Sequence, residues 1–224
     1  MAEDNALVSY DEQLRKELAN LSKTIDPPSS NKISTKGKVF TLPDGKSSPG
    51  PLNAVILDWV SLNVYYPGAY NPNQRTGPAC FAIGKVIEEL TPSENAPQKQ
   101  SVGDCASCPK GQWGTGAGGK GKACKNQRRL LLVSPDFTDH SMPMSLYVSP
   151  TGLKSWNEYV RRLATEQQAL PVQVVTKITF DANQTYPTLQ FEFGERHGQL
   201  DLAMRLRALN QEMLWREPDA QKAA

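Results

Sequence analysis

The sequence predicts a mainly β protein of the α+β class. Short alternating or apolar runs bounded by Gly and Pro dominate the chain after residue 38. Only one helical pattern lies between these runs, so the helix after nearly every strand that a parallel sheet requires is missing. The 224 residues suffice to bury a core. A small Greek-key barrel of the OB type fits this pattern best, with its core at residues 38–196.

The first predicted element is an amphipathic helix. Four leucines recur at helical spacing within residues 6–24, and a linker rich in Pro, Ser, Asn and Lys follows at residues 27–38. In one interpretation the helix packs on the chain's own core, and in the other it is an arm that binds a partner or mediates self-association between protomers. We therefore treat residues 1–37 as an N-terminal arm.

The β-like segments come next, and a second long helix ends the chain. Strands are predicted at residues 39–42, 54–66, 80–87, 128–134, 144–149, 172–181 and 187–193. A loop-rich stretch at residues 91–126 interrupts them, and the helix between the later strands carries its apolar residues from Leu153 to Leu163 on one side. The C-terminal segment, residues 197–224, begins with a helix predicted at residues 198–215.

Composition excludes a membrane protein and favours a cytoplasmic one. No stretch approaches the roughly 20 apolar residues of a spanning helix, and the N-terminus lacks the pattern of a signal peptide. The formal net charge is +2, but residues 1–26 hold six acids against three bases, so the remainder carries +5. This mild basicity does not establish a nucleic-acid partner by itself, and the distribution of charge has to decide.

Four cysteines favour a metal site over disulfides in a reducing compartment. Cys105 and Cys108 form C-x-x-C, a spacing at which two thiolates bind one tetrahedral metal ion. The Gly- and Lys-rich sequence before Cys124 cannot bury an apolar core, so a metal is expected to hold it shut. We predict structural zinc in an insertion at residues 100–127, with Cys80 or alternatively His140 as the fourth ligand. Reduced unligated cysteines and a redox thiol are the other interpretations.

The insertion is also strongly basic, and it contains no acid between Asp104 and Asp136. It imitates a phosphate-binding P-loop, but Gly121 stands where Ser or Thr would bind magnesium, which argues against nucleotide hydrolysis. The predicted phosphate-contacting cations are Lys110, Lys120, Lys122, Lys125, Arg128 and Arg129. Such cations interleaved with aromatic rings are typical of single-strand binding, and a solvated, flexible loop is the alternative.

Aromatic residues near these cations are candidates for stacking on bases. Trp113 lies inside the basic loop, and Tyr65, Tyr66 and Tyr70 lie in a Pro- and Asn-rich segment, where rings tend to be exposed. Trp59 belongs to an alternating strand, and its position is equally compatible with the core and with a stacking platform.

The sequence CASCPKGQWGTGAGGKGKACKN followed by RRLLLV resembles a family of bacteriophage proteins with a C-x-x-C-P, a Trp-Gly, a Gly-Lys-Gly-Lys-x-C loop and a following apolar strand. The similarity extends through VSPTGLKSWNEYV, VQVVTKITFD and YPTLQFEF and back to ILDW and NVYY, so it covers residues 38–195. This resemblance implies single-stranded DNA binding in phage replication. More loosely, the chain is similar to phage single-stranded DNA-binding proteins with a zinc-bearing lobe on an OB-fold core. Those proteins have a histidine among their ligands and an acidic tail, whereas WREPDAQKAA is nearly neutral.

We therefore expect a non-catalytic, sequence-independent single-stranded DNA-binding protein with structural zinc, acting with phage replication proteins in DNA replication or recombination in the host cytoplasm. One alternative is a zinc-ribbon regulator that binds duplex DNA or the host transcription machinery. Another is an inhibitor or scaffold that binds only protein. A zinc-dependent nuclease comes last, because the sequence offers no acid to nominate as its catalytic group.

Overall fold

In the computed structural model of the protein, the described residues are 31–68 and 77–218, together with Tyr10. The chain divides into two compact units, residues 1–31 and residues 32–224. Apart from Tyr10, the predicted N-terminal helix lies outside the described residues, and so does Tyr70. The fold below is that of the second unit.

Within the described residues, six strands form one antiparallel sheet, and a short ribbon precedes it. The ribbon pairs β1 (Phe40–Thr41) with β2 (Ser47–Ser48). The sheet contains β3 (Leu52–Tyr65), β4 (Cys80–Gly84), β5 (Cys124–Val133), β6 (Met144–Val148), β7 (Val174–Phe180) and β8 (Leu189–Arg196). Its order is β6-β5-β3-β7-β8, with β4 also paired to β3.

Three α-helices accompany the sheet in the described part of the chain: α1 (Leu153–Glu166), α2 (Leu200–Leu209) and α3 (Gln211–Trp215). The prediction of an α+β protein with an antiparallel sheet and few helices is thus confirmed. No helix among the described residues combines the length and the apolarity that crossing a membrane demands.

Strand β3 organises the sheet. It pairs with β5 along one edge, while its other edge pairs with β7 at residues 52–54 and with β4 at residues 61–65. The register with β5 shifts between Ile56 and Asp58. A β-bulge of this kind bends a strand and increases its twist. One continuous strand therefore takes part in two differently partnered halves of the sheet.

Helix α1 covers one face of the sheet. Its buried residues Trp156, Tyr159 and Leu163 recur at helical spacing and pack on the apolar side of the central strands. Ile33 and Phe40 join this core from the segment before β3. Ile33 also donates a backbone hydrogen bond to the Ser145 carbonyl at 2.9 Å, so the chain from residue 32 onward is bound to the sheet.

Helices α2 and α3 cover the opposite face, where Ala203, Leu206 and Leu214 pack against β3 and β5. The sequence pattern predicted one helix here, but the chain divides at Asn210, whose backbone is not helical at φ −116° and ψ 21°. The strand expected from residue 128 begins earlier, at Cys124, because its first residues pair with the far end of β3. The sheet is consequently sandwiched between α1 and the C-terminal helices.

Candidate nucleic-acid interface and cysteine pocket

The four predicted cysteine ligands line a single pocket, with a volume of about 280 Å³. Cys80 on β4 and Cys124 on β5 are both paired with Tyr65 of β3, one on each side. Directly paired residues of neighbouring strands project from the same face of a sheet, so these three side chains lie together. Cys105 and Cys108 reach the pocket from the loop between β4 and β5. We call this site the cysteine pocket.

Hydrogen bonds within the loop between β4 and β5 fix the C-x-x-C turn. The Cys105 amide donates to the Leu90 carbonyl at 2.7 Å. The Gln112 side-chain amide donates to the carbonyls of Ala106 and Cys108, at 3.0 and 3.3 Å, and so ties both sides of the turn together. These contacts give a defined backbone to the turn that carries two of the thiols.

The thiols of the cysteine pocket influence one another electrostatically. Burial, followed by the neighbouring thiols of Cys105, Cys108 and Cys80, raises the pKa of Cys124 to about 12. Burial also raises the pKa of Cys80 and of Cys105. Cys80, Cys105, Cys108 and Cys124 are all free of disulfide bonds.

The donor set of the cysteine pocket is that of a structural zinc site, since four thiolates are a common ligand set for tetrahedral zinc. As the side chains stand, no group of three His, Cys, Asp or Glu within residues 31–68 and 77–218 is arranged closely enough to hold a metal ion. The alternative ligand His140 is exposed and lies beyond Val133, whereas Cys124 is at the opposite end of β5, about 30 Å away along the strand. Cys80 is thus the fourth cysteine of the pocket.

The segment that follows the C-x-x-C turn is a compact, hydrogen-bonded loop. In this lysine loop, residues 109–123, the Gly114 and Gly116 amides both donate to the Gly121 carbonyl. Gly121 has a φ of +65°, a conformation that favours glycine. A Cβ on Gly116 would lie 2.1 Å from the Lys120 carbonyl oxygen, so this position also requires glycine. The loop therefore has a defined path around its glycines.

The lysine loop presents an aromatic ring and several cations to solvent. Trp113 is 81% exposed, the most exposed tryptophan of the described residues. Lys110 and Lys122 line the cysteine pocket, and the Lys110 ammonium lies 5.5 Å from the centre of the Tyr65 ring. Among the described residues, Lys110, Lys120, Lys122 and Lys125 are not within ion-pairing distance of any carboxylate. Their charges remain available for an external anion.

The two predicted arginines point to opposite faces of β5, as successive strand residues do. Arg129 is only 3% exposed and donates to the carbonyls of Leu214, at 2.8 Å, and Arg216. It therefore anchors the C-terminal helices, and this contact removes it from the surface that a phosphate could reach. Arg128 lies on the other face, paired with Ser61 of β3.

The tyrosines and Trp59 differ in their surroundings. Tyr65 lines the cysteine pocket, and Tyr66 beside it is 46% exposed. Trp59 is partly buried, with its ring 5.4 Å from that of Trp156 in an edge-on contact. The same ring also lines a surface groove, so Trp59 takes part in both the core and the surface.

That groove adjoins the candidate interface, and the sequence pattern did not predict it. Trp59 and Arg128 line it together with Lys85, Glu88 and Arg161. It adjoins the cysteine pocket, because Ile87 and Glu88 line both. Lys85 and Arg161 carried no sequence signal, since single cations on a strand end and on a helix surface usually belong to ordinary solvated faces.

Compared with known proteins, the chain matches no family model, no curated protein and no solved structure. The interface must therefore be interpreted from its own geometry. Its features are an exposed tryptophan, unpaired lysines, and a sheet face that carries further aromatic and cationic side chains.

Proposed function

We propose that the protein binds single-stranded DNA without sequence preference and without catalysis. The observation that carries this proposal is Trp113, which is 81% exposed on a loop with lysines that no carboxylate of the described residues neutralises. Exposing an indole ring to water costs free energy that stacking on a base recovers. Lysines beside it attract the phosphates on either side of the stacked base.

A single strand fits this arrangement better than a duplex does. In a duplex the bases are already stacked on one another, so a protruding tryptophan finds no free base face. Between residues 109 and 123 the lysine loop contains no α-helix or β-strand, the elements that enter a major groove to read base edges. The protein is therefore expected to follow the backbone and stack on any base, as a protein that protects displaced strands in phage replication or recombination must.

An OB-like core is the architecture that we propose beneath this interface. The course of β3 supports an OB-like core. This strand bends at a bulge, and it pairs with β7 and β4 on different halves of one edge. Strands that pass from one sheet segment to another through a bulge are how small β barrels turn their corners. In that arrangement the bound DNA strand lies on the face of β3 that carries Tyr65.

We further propose that structural zinc is bound by Cys80, Cys105, Cys108 and Cys124. All four cysteines line the cysteine pocket, which supports this site, and their side chains would have to move closer together to bind one ion. Zinc ligation would link β4, β5 and the C-x-x-C turn, and it would fix the base of the lysine loop. The ion's contribution is to stability and to the position of the loop.

Fluorescence anisotropy of labelled oligo(dT), with a matching duplex as the comparison and at two salt concentrations, tests the proposal. Wild-type protein should bind the single strand more tightly, and binding should weaken as salt rises. Trp113→Ala should weaken binding about 5- to 100-fold, as expected for the loss of one stacked base. Tyr186→Ala is the matched control, because Tyr186 is 48% exposed, lies between β7 and β8, and lines neither the cysteine pocket nor the groove beside Trp59.

Two results would contradict the proposal. Tighter binding to the duplex would favour the regulator that reads double-stranded DNA. No binding of either probe at either salt concentration would favour a function that involves only protein partners.

A further inference from the structure

The groove beside Trp59 has the composition of an anion site with an aromatic wall. We call it the Arg128 groove, and its polar lining comes from Arg128 on β5, Arg161 and Asn157 on α1, and Lys85 and Glu88 after β4. These residues are far apart in sequence, and the packing of α1 and the β4 end against β3 and β5 brings them together.

Arg128 is the central feature of the groove. Arg128 is 6% exposed, and its guanidinium donates a hydrogen bond to the Gln127 carbonyl at 3.1 Å. A guanidinium has five N–H donors, so most of them are not used by that bond. No carboxylate of the described residues lies within ion-pairing distance, although Glu88 attracts it from further away. A buried cation with unused donors facing a groove is suited to an external anion.

The other two cations of the groove have different roles. Lys85 is already engaged, since its ammonium contacts the Asp58 carboxylate at 2.5 Å and the Trp59 carbonyl at 2.6 Å. Arg161 is exposed on the surface of α1 and forms no ion pair among the described residues. Arg128 and Arg161 are thus the two cations of the groove that form no ion pair among the described residues, and the partly exposed Trp59 ring lines the same groove.

The Arg128 groove continues into the cysteine pocket. Ile87 and Glu88 line both sites, and the residues of β3 from Trp59 to Tyr65 run beneath them. Six residue steps of a strand span about 20 Å, which is long enough for several nucleotides of an extended chain. At the far end, Lys110 and Lys122 line the pocket next to the lysine loop.

We propose that the Arg128 groove is a second subsite for the same DNA strand, one that takes a phosphate on Arg128 and Arg161 and a base against Trp59. This subsite rests on the proposed single-strand binding and specifies its path, from the lysine loop across the cysteine pocket to α1. A long strand occupies both subsites, whereas a short strand is held at the lysine loop alone.

The test compares Arg161→Glu with Arg162→Glu. Both arginines are exposed neighbours on α1, but only Arg161 lines the groove, so the two variants carry the same charge change. Anisotropy is measured with oligo(dT) of about 4 and about 16 nucleotides, which bracket the usual site sizes. Arg161→Glu should weaken binding of the long probe about tenfold and lower its salt dependence, and it should leave the short probe unchanged. Arg162→Glu should affect neither probe.

The outcomes separate the subsite from the proposed function. If the wild-type protein binds neither probe, the proposed function itself fails. If the wild type binds and Trp113→Ala weakens binding, but Arg161→Glu matches Arg162→Glu on the long probe, only the second subsite is overturned. Equal losses on short and long probes would also overturn it, because they would place both contacts in one site. Arg128→Lys gives a second check, since a lysine keeps the charge but loses the fork, and it should weaken the long probe alone.

Discussion

Removing the Tyr159 hydroxyl should destabilise the protein through a single buried hydrogen bond. Tyr159 is fully buried in α1, and its hydroxyl lies 2.5 Å from the Thr176 hydroxyl on β7, which is itself without solvent exposure. Tyr159→Phe keeps the ring packed against Trp156 and Phe191 but leaves the Thr176 hydroxyl without this partner. The expected loss is about 1–3 kcal/mol in the free energy of unfolding, the usual cost of stranding one buried polar group.

Urea unfolding followed by tryptophan fluorescence measures that loss, and a double variant checks its cause. Tyr159→Phe with Thr176→Val removes both polar groups, so the pair should lose less stability than the sum of the two single changes. Additive losses would refute the reasoning, because they would show that the two hydroxyls do not act on each other. An unchanged stability in Tyr159→Phe would refute it as well.

The buried Tyr159 hydroxyl also predicts that the stability of the fold depends on pH in the alkaline range. Burial raises the pKa of Tyr159 from its ordinary 10.0 to about 12. Below pH 10 the hydroxyl is neutral in both the folded and the unfolded chain, so it contributes no pH dependence there. Between pH 10 and about 12 the unfolded chain loses this proton while the folded chain retains it, so stability falls as pH rises. Tyr159→Phe should show a smaller decline over that interval, measured as the difference between the two unfolding curves.

Three further predictions concern the interface and its supports. Gly116→Ala should weaken oligo(dT) binding with little change in the melting temperature, because its Cβ would displace the exposed Lys120 backbone; normal binding would show that the path of the loop does not matter. Arg129→Gln should destabilise the fold by about 2 kcal/mol in urea unfolding, because it removes a charged donor from the Leu214 carbonyl, and the salt dependence of binding should stay unchanged. Elemental analysis should find zinc in the purified wild-type protein and less zinc in the Cys124→Ser variant. Equal zinc content in the two proteins would place the ion at another site.

The local elements were predictable because each carries its own periodicity. The alternation around Trp59 predicts β3, and the helical spacing from Leu153 to Leu163 predicts α1, as the structure has them. Composition alone likewise picked out the lysine loop, where Trp113 is exposed. Boundaries were less accurate, because Cys124 joins β5 only through its pairing with β3, which is a contact distant in sequence.

The placement of functional side chains was decided by the tertiary structure. Alternation along a strand requires Arg128 and Arg129 to point to opposite faces, but it does not say which face the C-terminal helices cover. The contact of Arg129 with Leu214 and the assembly of Arg128 with Arg161 depend on packing between segments distant in the chain. Local pattern thus determined which elements form and which residues carry charge. Long-range pairing and packing decided which of those charges remain available to a ligand, since the burial of a side chain depends on which distant segments pack against it.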